Sequence, residues 1–117
     1  MSQVATEVAS DAVATVPLGM LGSYQVPFTF SQSSTSTRTV SATLQNVPDG
    51  ALLATIAIQA FNADYTNQEQ YGFGQFQVAM SLNGLSSASC TISLRDNHVN
   101  SRQWEGTATG LVTYFGK

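Results

Sequence analysis

Two polar stretches hold most of the side chains that could recognise a ligand. The first, Asn62 to Tyr71, carries Asn62, Asp64, Tyr65, Asn67, Gln70 and Tyr71. The second, Arg95 to Glu105, carries Asp96, Asn97, His98, Asn100, Arg102, Trp104 and Glu105. Amides, carboxylates and guanidinium groups bond sugar hydroxyls in pairs, while aromatic rings stack on the apolar faces of pyranoses. Protein contacts draw on the same types, since Tyr, Trp and Arg are the usual hot-spot residues. The residues expected to touch a ligand are Asn62, Asp64, Tyr65, Tyr71, Asp96, Asn97, His98, Arg102 and Trp104. The plain alternative places Trp104 in the core and both stretches in solvent.

Catalytic chemistry finds little to build on. His98 and Cys90 are the sole histidine and cysteine, which leaves a zinc site short of ligands. Asn62, Asp64, Thr66 and Glu69 offer oxygens near calcium-loop spacing. They lack the second acidic position and the glycine of an EF-hand, so a solvated loop is expected instead. Gly84-Leu85-Ser86-Ser87-Ala88 lacks the closing glycine of a nucleophile elbow. Asp96 and His98 share one short loop with no positioned serine. Nothing in the spacing of Asp49, Asp64, Glu69, Asp96 and Glu105 makes a carboxylate pair face a glycosidic bond. Gly72-Phe73-Gly74 has no third glycine and precedes a strand, unlike a dinucleotide fingerprint. The chain is therefore expected to bind rather than catalyse, with no metal and no cofactor.

Charge narrows the partners. Only 9% of the 117 residues are charged and the net charge is −3. Ser, Thr, Asn and Gln make up roughly a third of the chain. The four basic residues, Arg38, Arg95, Arg102 and Lys117, are too few for a phosphate-binding surface or a polybasic membrane patch. No apolar run approaches the ~18 residues of a membrane-spanning helix. MSQVATEVASDAV lacks the basic and apolar regions of a secretory signal, so a cytoplasmic product, or one exported without a cleaved signal, is expected. Cys90 lies on an apolar strand face and reads as an inert buried thiol.

The elements that must position the two stretches read as strands. Phe76, Val78, Met80 and Leu82 alternate with polar residues, as do Ala88, Cys90, Ile92 and Leu94, and Asn83-Gly84 between them is a hairpin signal. Tyr24, Val26, Phe28 and Phe30 alternate in a strand that Pro27 confines to an edge or a bulge. Val40, Ala42 and Leu44 alternate over Thr37 to Val47, and Pro48-Asp49-Gly50 turns the chain. Ala51 to Phe61 is apolar on both faces and is expected to be a central strand covered on both sides, a helix being the rival. Trp104 to Phe115 is the last strand, with Gly106 and Gly110 marking bulges or close backbone approach.

These signals predict an all-β fold, an antiparallel β-sandwich of about six strands over residues 23–117. Residues 1–22 are expected to form an N-terminal arm or short helix. The expected core is Tyr24, Val26, Phe28, Phe30, Val40, Leu44, Leu52, Ile56, Ile58, Phe76, Val78, Met80, Leu82, Cys90, Ile92, Leu94 and Val112. In general architecture this is similar to small bacterial or phage sandwich modules such as lectins, tail-tip proteins and capsid proteins, though fold alone does not give function. The function expected is a lectin-like carbohydrate-binding module acting as a multivalent homo-oligomer, its partner a neutral glycan. The rival is a structural subunit of a virion, phage tail or other secreted assembly, whose loops meet protein surfaces. Neither involves nucleic acid or membrane insertion.

Overall fold

A computed structural model describes residues 18–66, 73–96 and 103–117. The chain forms two antiparallel three-stranded sheets packed as a small β-sandwich. The strands are β1 (Gly19–Ser33), β2 (Thr37–Thr43), β3 (Ala51–Tyr65), β4 (Phe73–Asn83), β5 (Ser87–Asp96) and β6 (Trp104–Gly116). One sheet has the order β1-β6-β3 and the other β2-β5-β4. Contacts between the layers place β1 beside β2 and β3 beside β4. The strands are long, so the molecule is elongated, 62 × 26 × 17 Å.

Alternation explains the layering. On β6, Trp104, Ala108, Gly110, Val112, Tyr114 and Gly116 are buried, whereas the residues between them are only partly covered or exposed. On β5, Ala88, Cys90, Ile92 and Leu94 are buried in the same manner. Phe30, Phe28 and Val26 of β1 stand opposite Gly106, Ala108 and Gly110 of β6, so large side chains lie beside small ones. A Cβ at Gly110 would lie 2.9 Å from both Ile56 Cδ1 and Met80 Sδ. Glycine there lets the other layer approach. Fully burying each large core side chain contributes about 1.5–3 kcal/mol.

The outer face of the β2-β5-β4 sheet is built from hydroxyls. Thr37 and Ser93 pair at 2.7 Å, Thr39 and Thr91 at 2.7 Å, and Ser41 and Ser89 at 2.9 Å. Directly opposed hydroxyls satisfy one another across the strands, which lets the face stay polar without charge.

Several expectations change. β3 is an edge strand, not a central one; β6 takes the centre, with β3 and β1 on either side. A register shift between Ile58 and Ala60 puts Phe61 on the same face as Ile58, opposite Ala108 and Gly110. Strict alternation had assigned these two to opposite faces. Tyr24, Leu52, Ile58 and Phe76, expected in the core, are exposed: Leu52 falls in a register shift, and the other three lie on the edge strands β1, β3 and β4, although Phe28 and Phe30 of β1 are covered. Trp104, Tyr114, Ala88 and Ala108 join the core instead.

The boundaries move as well. β1 starts at Gly19, so residues 19–22 belong to the sandwich, while 1–17 lie outside the described residues. β2 stops at Thr43, and Leu44 is pinned by its N–H donating to Ser86 O at 2.9 Å. The β4–β5 turn is centred on Gly84-Leu85, one residue later than the Asn-Gly reading: Ser86 N–H donates to Asn83 O, and Gly84 has φ 57°. At the other tight turn Ala51 N–H donates to Pro48 O, and Gly50 takes φ 85° at the position that requires it.

Candidate functional site

Both polar stretches attach to the same end of the sandwich. Tyr65 of β3 and Ser33 of β1 flank Trp104 at the start of β6, and Phe73 of β4 pairs with Asp96 at the end of β5. Gln32 stitches this end together. Its Nε2 donates to Gln103 Oε1 at 2.8 Å and to Thr66 Oγ1 at 3.1 Å, while Thr66 N–H donates to Gln103 O at 3.0 Å. The residue that leaves β3 and the residue that enters β6 are thereby fixed side by side.

Within that end sits a cation–aromatic stack. Arg38 lies on the inward face of β2, opposite Ile92. Its Cζ is 3.9 Å from the Trp104 ring centroid and 5.8 Å from that of Phe30. Phe30 stacks on Trp104 at 5.8 Å with planes 27° apart. Arg38 Nη2 donates to Trp104 O at 2.9 Å, and Nη1 donates to Ser31 O. Trp104 Nε1 donates to Thr35 O at 2.9 Å. Burial pulls the Arg38 guanidinium below its ordinary pKa, and its Nε is buried without a partner among the described residues.

The candidate residues distribute unevenly. Trp104 is 0% exposed, with Arg38 and Phe30 against its ring, so a sugar has no access to it. Asn62 and Asp64 are exposed, but on β3 rather than on a loop, opposite Thr107 and Glu105. Of the calcium-like set, Asn62 and Asp64 lie along one face of β3, Thr66 follows the strand, and Glu69 lies outside the described residues. Tyr65 is half-buried beside Trp104. Asp96 closes β5. Tyr71, Asn97, His98 and Arg102 lie outside the described residues. Among the described residues no three His, Cys, Asp or Glu side chains gather to hold a metal.

Two features on the long edges were not anticipated. On the β1/β2 edge a groove of about 260 Å³ is lined by Tyr24, Gln25, Val26, Pro27, Ala42, Thr43, Gln45, Asn46 and Tyr114. Tyr24 tilts against Tyr114 with centroids 6.0 Å apart and planes at 55°. Burial, with Tyr24 adding to it, raises the Tyr114 pKa. On the opposite edge, Ile58 and Phe61 of β3 face inward yet remain 42% and 50% exposed. Phe61 meets Phe76 of β4 edge-on at 5.4 Å and 71°.

No protein-family model, no curated protein and no solved structure matches the chain. The functional reading therefore rests on this geometry alone.

Proposed function

We propose that the protein is a structural subunit that assembles with copies of itself along its β3 edge, as a component of a virion, tail or other secreted assembly. The observation that carries this is the half-exposed pair Ile58 and Phe61, core-facing residues left in water by a sandwich too narrow to cover them. Large apolar patches of this kind mark association surfaces.

The backbone supports the same reading. β3 offers fifteen residues to a partner, and among the described residues it pairs only with β6. Edge strands are ordinarily blunted by proline, lysine or inward charges. β3 contains one charged residue, Asp64, and no proline; β4 contains neither charge nor proline. The β1 edge, by contrast, carries Pro27. An antiparallel β3–β3 contact about a two-fold axis joins two β1-β6-β3 sheets into one of six strands and brings both Ile58–Phe61 clusters under cover. A second copy is the fitting occupant, because the edge carries a single charge, Asp64, near its end and is otherwise apolar or neutral, so it can pair with its own copy.

Light scattering after size exclusion tests this. The wild type is expected at a multiple of 12.4 kDa at micromolar concentration, and Phe61→Lys at 12.4 kDa with an unchanged far-ultraviolet spectrum. A wild type that runs at 12.4 kDa refutes the assembly. At the loop end the buried Trp104 offers no stacking face for a glycan, and Tyr71, Asn97, His98 and Arg102 lie outside the described residues.

A further inference from the structure

We infer that the groove on the β1/β2 edge is a binding site for a neutral saccharide, with Tyr24 as the stacking platform. It lies on the edge opposite β3, so self-assembly through β3 leaves it open.

The floor and rim have the required chemistry. Val26, Pro27 and Ala42 give an apolar floor, and the Tyr24 ring, 37% exposed, stands at its side. Tyr114 backs that ring and holds its tilt. A pyranose has one face of C–H groups and a girdle of hydroxyls; the first needs an aromatic plane and the second needs amides. Gln45 and Asn46 supply the amides, each with a carbonyl acceptor and two N–H donors. Among the described residues neither makes a side-chain hydrogen bond, and both are exposed. The Gln25 amide is already engaged across β6, its Nε2 donating to Gln59 Oε1 of β3 at 2.7 Å, and is not counted among the ligand's partners. Thr43 adds a hydroxyl.

Charge and size choose the ligand class. None of the lining residues is charged, so an acidic or cationic ligand would surrender hydration without gaining an ion pair. The volume of about 260 Å³ falls just below the roughly 300–1,000 Å³ typical of sites for drug-sized ligands, which suits one or two sugar rings and not a nucleotide cofactor. A single shallow site of this kind binds weakly. Copies displayed on an assembly convert that weakness into avidity.

The test is an array of immobilised neutral and acidic glycans probed with the intact wild type, followed by titration of the best neutral glycan in solution. Tyr24→Phe should retain binding, because the ring remains. Tyr24→Ala should lose about tenfold or more, the loss expected of an anchoring aromatic. Gln45→Ala and Asn46→Ala alter exposed side chains and should weaken binding with no change in thermal midpoint. Solution titration of the Phe61→Lys variant reads the site independently of assembly: intrinsic affinity should persist while array avidity falls. No neutral glycan bound, preference for acidic glycans, or Tyr24→Ala and Gln45→Ala binding at wild-type strength would each overturn the inference.

Discussion

Replacing Arg38 with methionine isolates the role of the cation in the stack. Methionine keeps an unbranched apolar stem against Trp104 and removes the guanidinium. Three favourable contacts go. The bond from Nη2 to Trp104 O is partly buried and charge-assisted, a class that contributes about 1.5–3 kcal/mol. The bond to Ser31 O is exposed, so water replaces it and the loss is nearer ~0.5 kcal/mol. The cation over the indole contributes about 1 kcal/mol at a partly covered site. Against these, the buried Nε loses its unmet demand for a partner, a relief of about 1 kcal/mol. The net expectation is a destabilisation of about 3 kcal/mol. For a chain of this length that lowers the thermal midpoint by roughly 12 °C. Trp104 is the only tryptophan, so denaturant unfolding followed by its fluorescence reports on this contact directly, at fixed protein concentration because assembly shifts midpoints. Arg38→Lys keeps a charge without the planar fork and should fall between the two. An Arg38→Met protein as stable as the wild type, or lysine fully equivalent to arginine, would refute the reasoning.

Glycines on β6 should differ by what their missing side chain would meet. At Gly106 an added Cβ lies 2.5 Å from the main-chain oxygen of Asn62, so alanine there should cost about 3 kcal/mol. At Gly110 the neighbours are the movable ends of Ile56 and Met80, and the cost should be about 1 kcal/mol; urea midpoints in the reverse order would contradict the packing. Burial raises the Cys90 thiol above its ordinary pKa, so the folded chain holds the proton while the unfolded chain ionises near 9.0. That contribution to stability is complete below pH 9.0 and declines as pH rises through the folded value; Tyr114, raised likewise from 10.0, adds to the decline further up. Cys90→Ala should flatten the first part of the alkaline loss in urea titrations, and a thiol reagent should react with the wild type only on unfolding. Rapid labelling of the native protein would contradict the buried placement.

Period-two patterning carried the fold. The alternation at Phe76–Leu82 and Ala88–Leu94 placed both strands on their correct faces, and of the edge or bulge that Pro27 implied, the strand is at an edge. What alternation could not show is which strand lies in the middle of a sheet. Ala51 to Phe61 looks two-sided in sequence because two register shifts, at Ala51/Leu53 and Ile58/Ala60, displace its pattern, not because both faces are covered. Trp104 was legible as an aromatic among polar neighbours, which fits a binding platform and a buried anchor equally well. Only the arrival of Arg38 and Phe30, 66 and 74 residues away in sequence, separates the two. The β1/β2 groove was hidden for a related reason: Tyr24 and Gln45 belong to different layers, and no local pattern brings them together.

The sheet order β1-β6-β3 constrains when the molecule can form. β6 is the last strand in chain order, yet it fills the gap between the first and the third. Until it arrives, β1 and β3 have no ladder partner in their own sheet. The β4–β5 hairpin can zip locally, on the microsecond scale typical of hairpins. The other sheet must wait for a strand whose partners lie about 40 to 100 residues back along the chain. During synthesis the Phe28–Phe30 and Ile56–Phe61 surfaces are therefore open before their own central strand has left the ribosome. Folding becomes a race between insertion of β6 and capture of those unpaired strands by another nascent chain. The β3 edge proposed above as the subunit contact is also left unpaired until β6 inserts, so slower insertion of β6 is expected to lower the yield of correctly built protein.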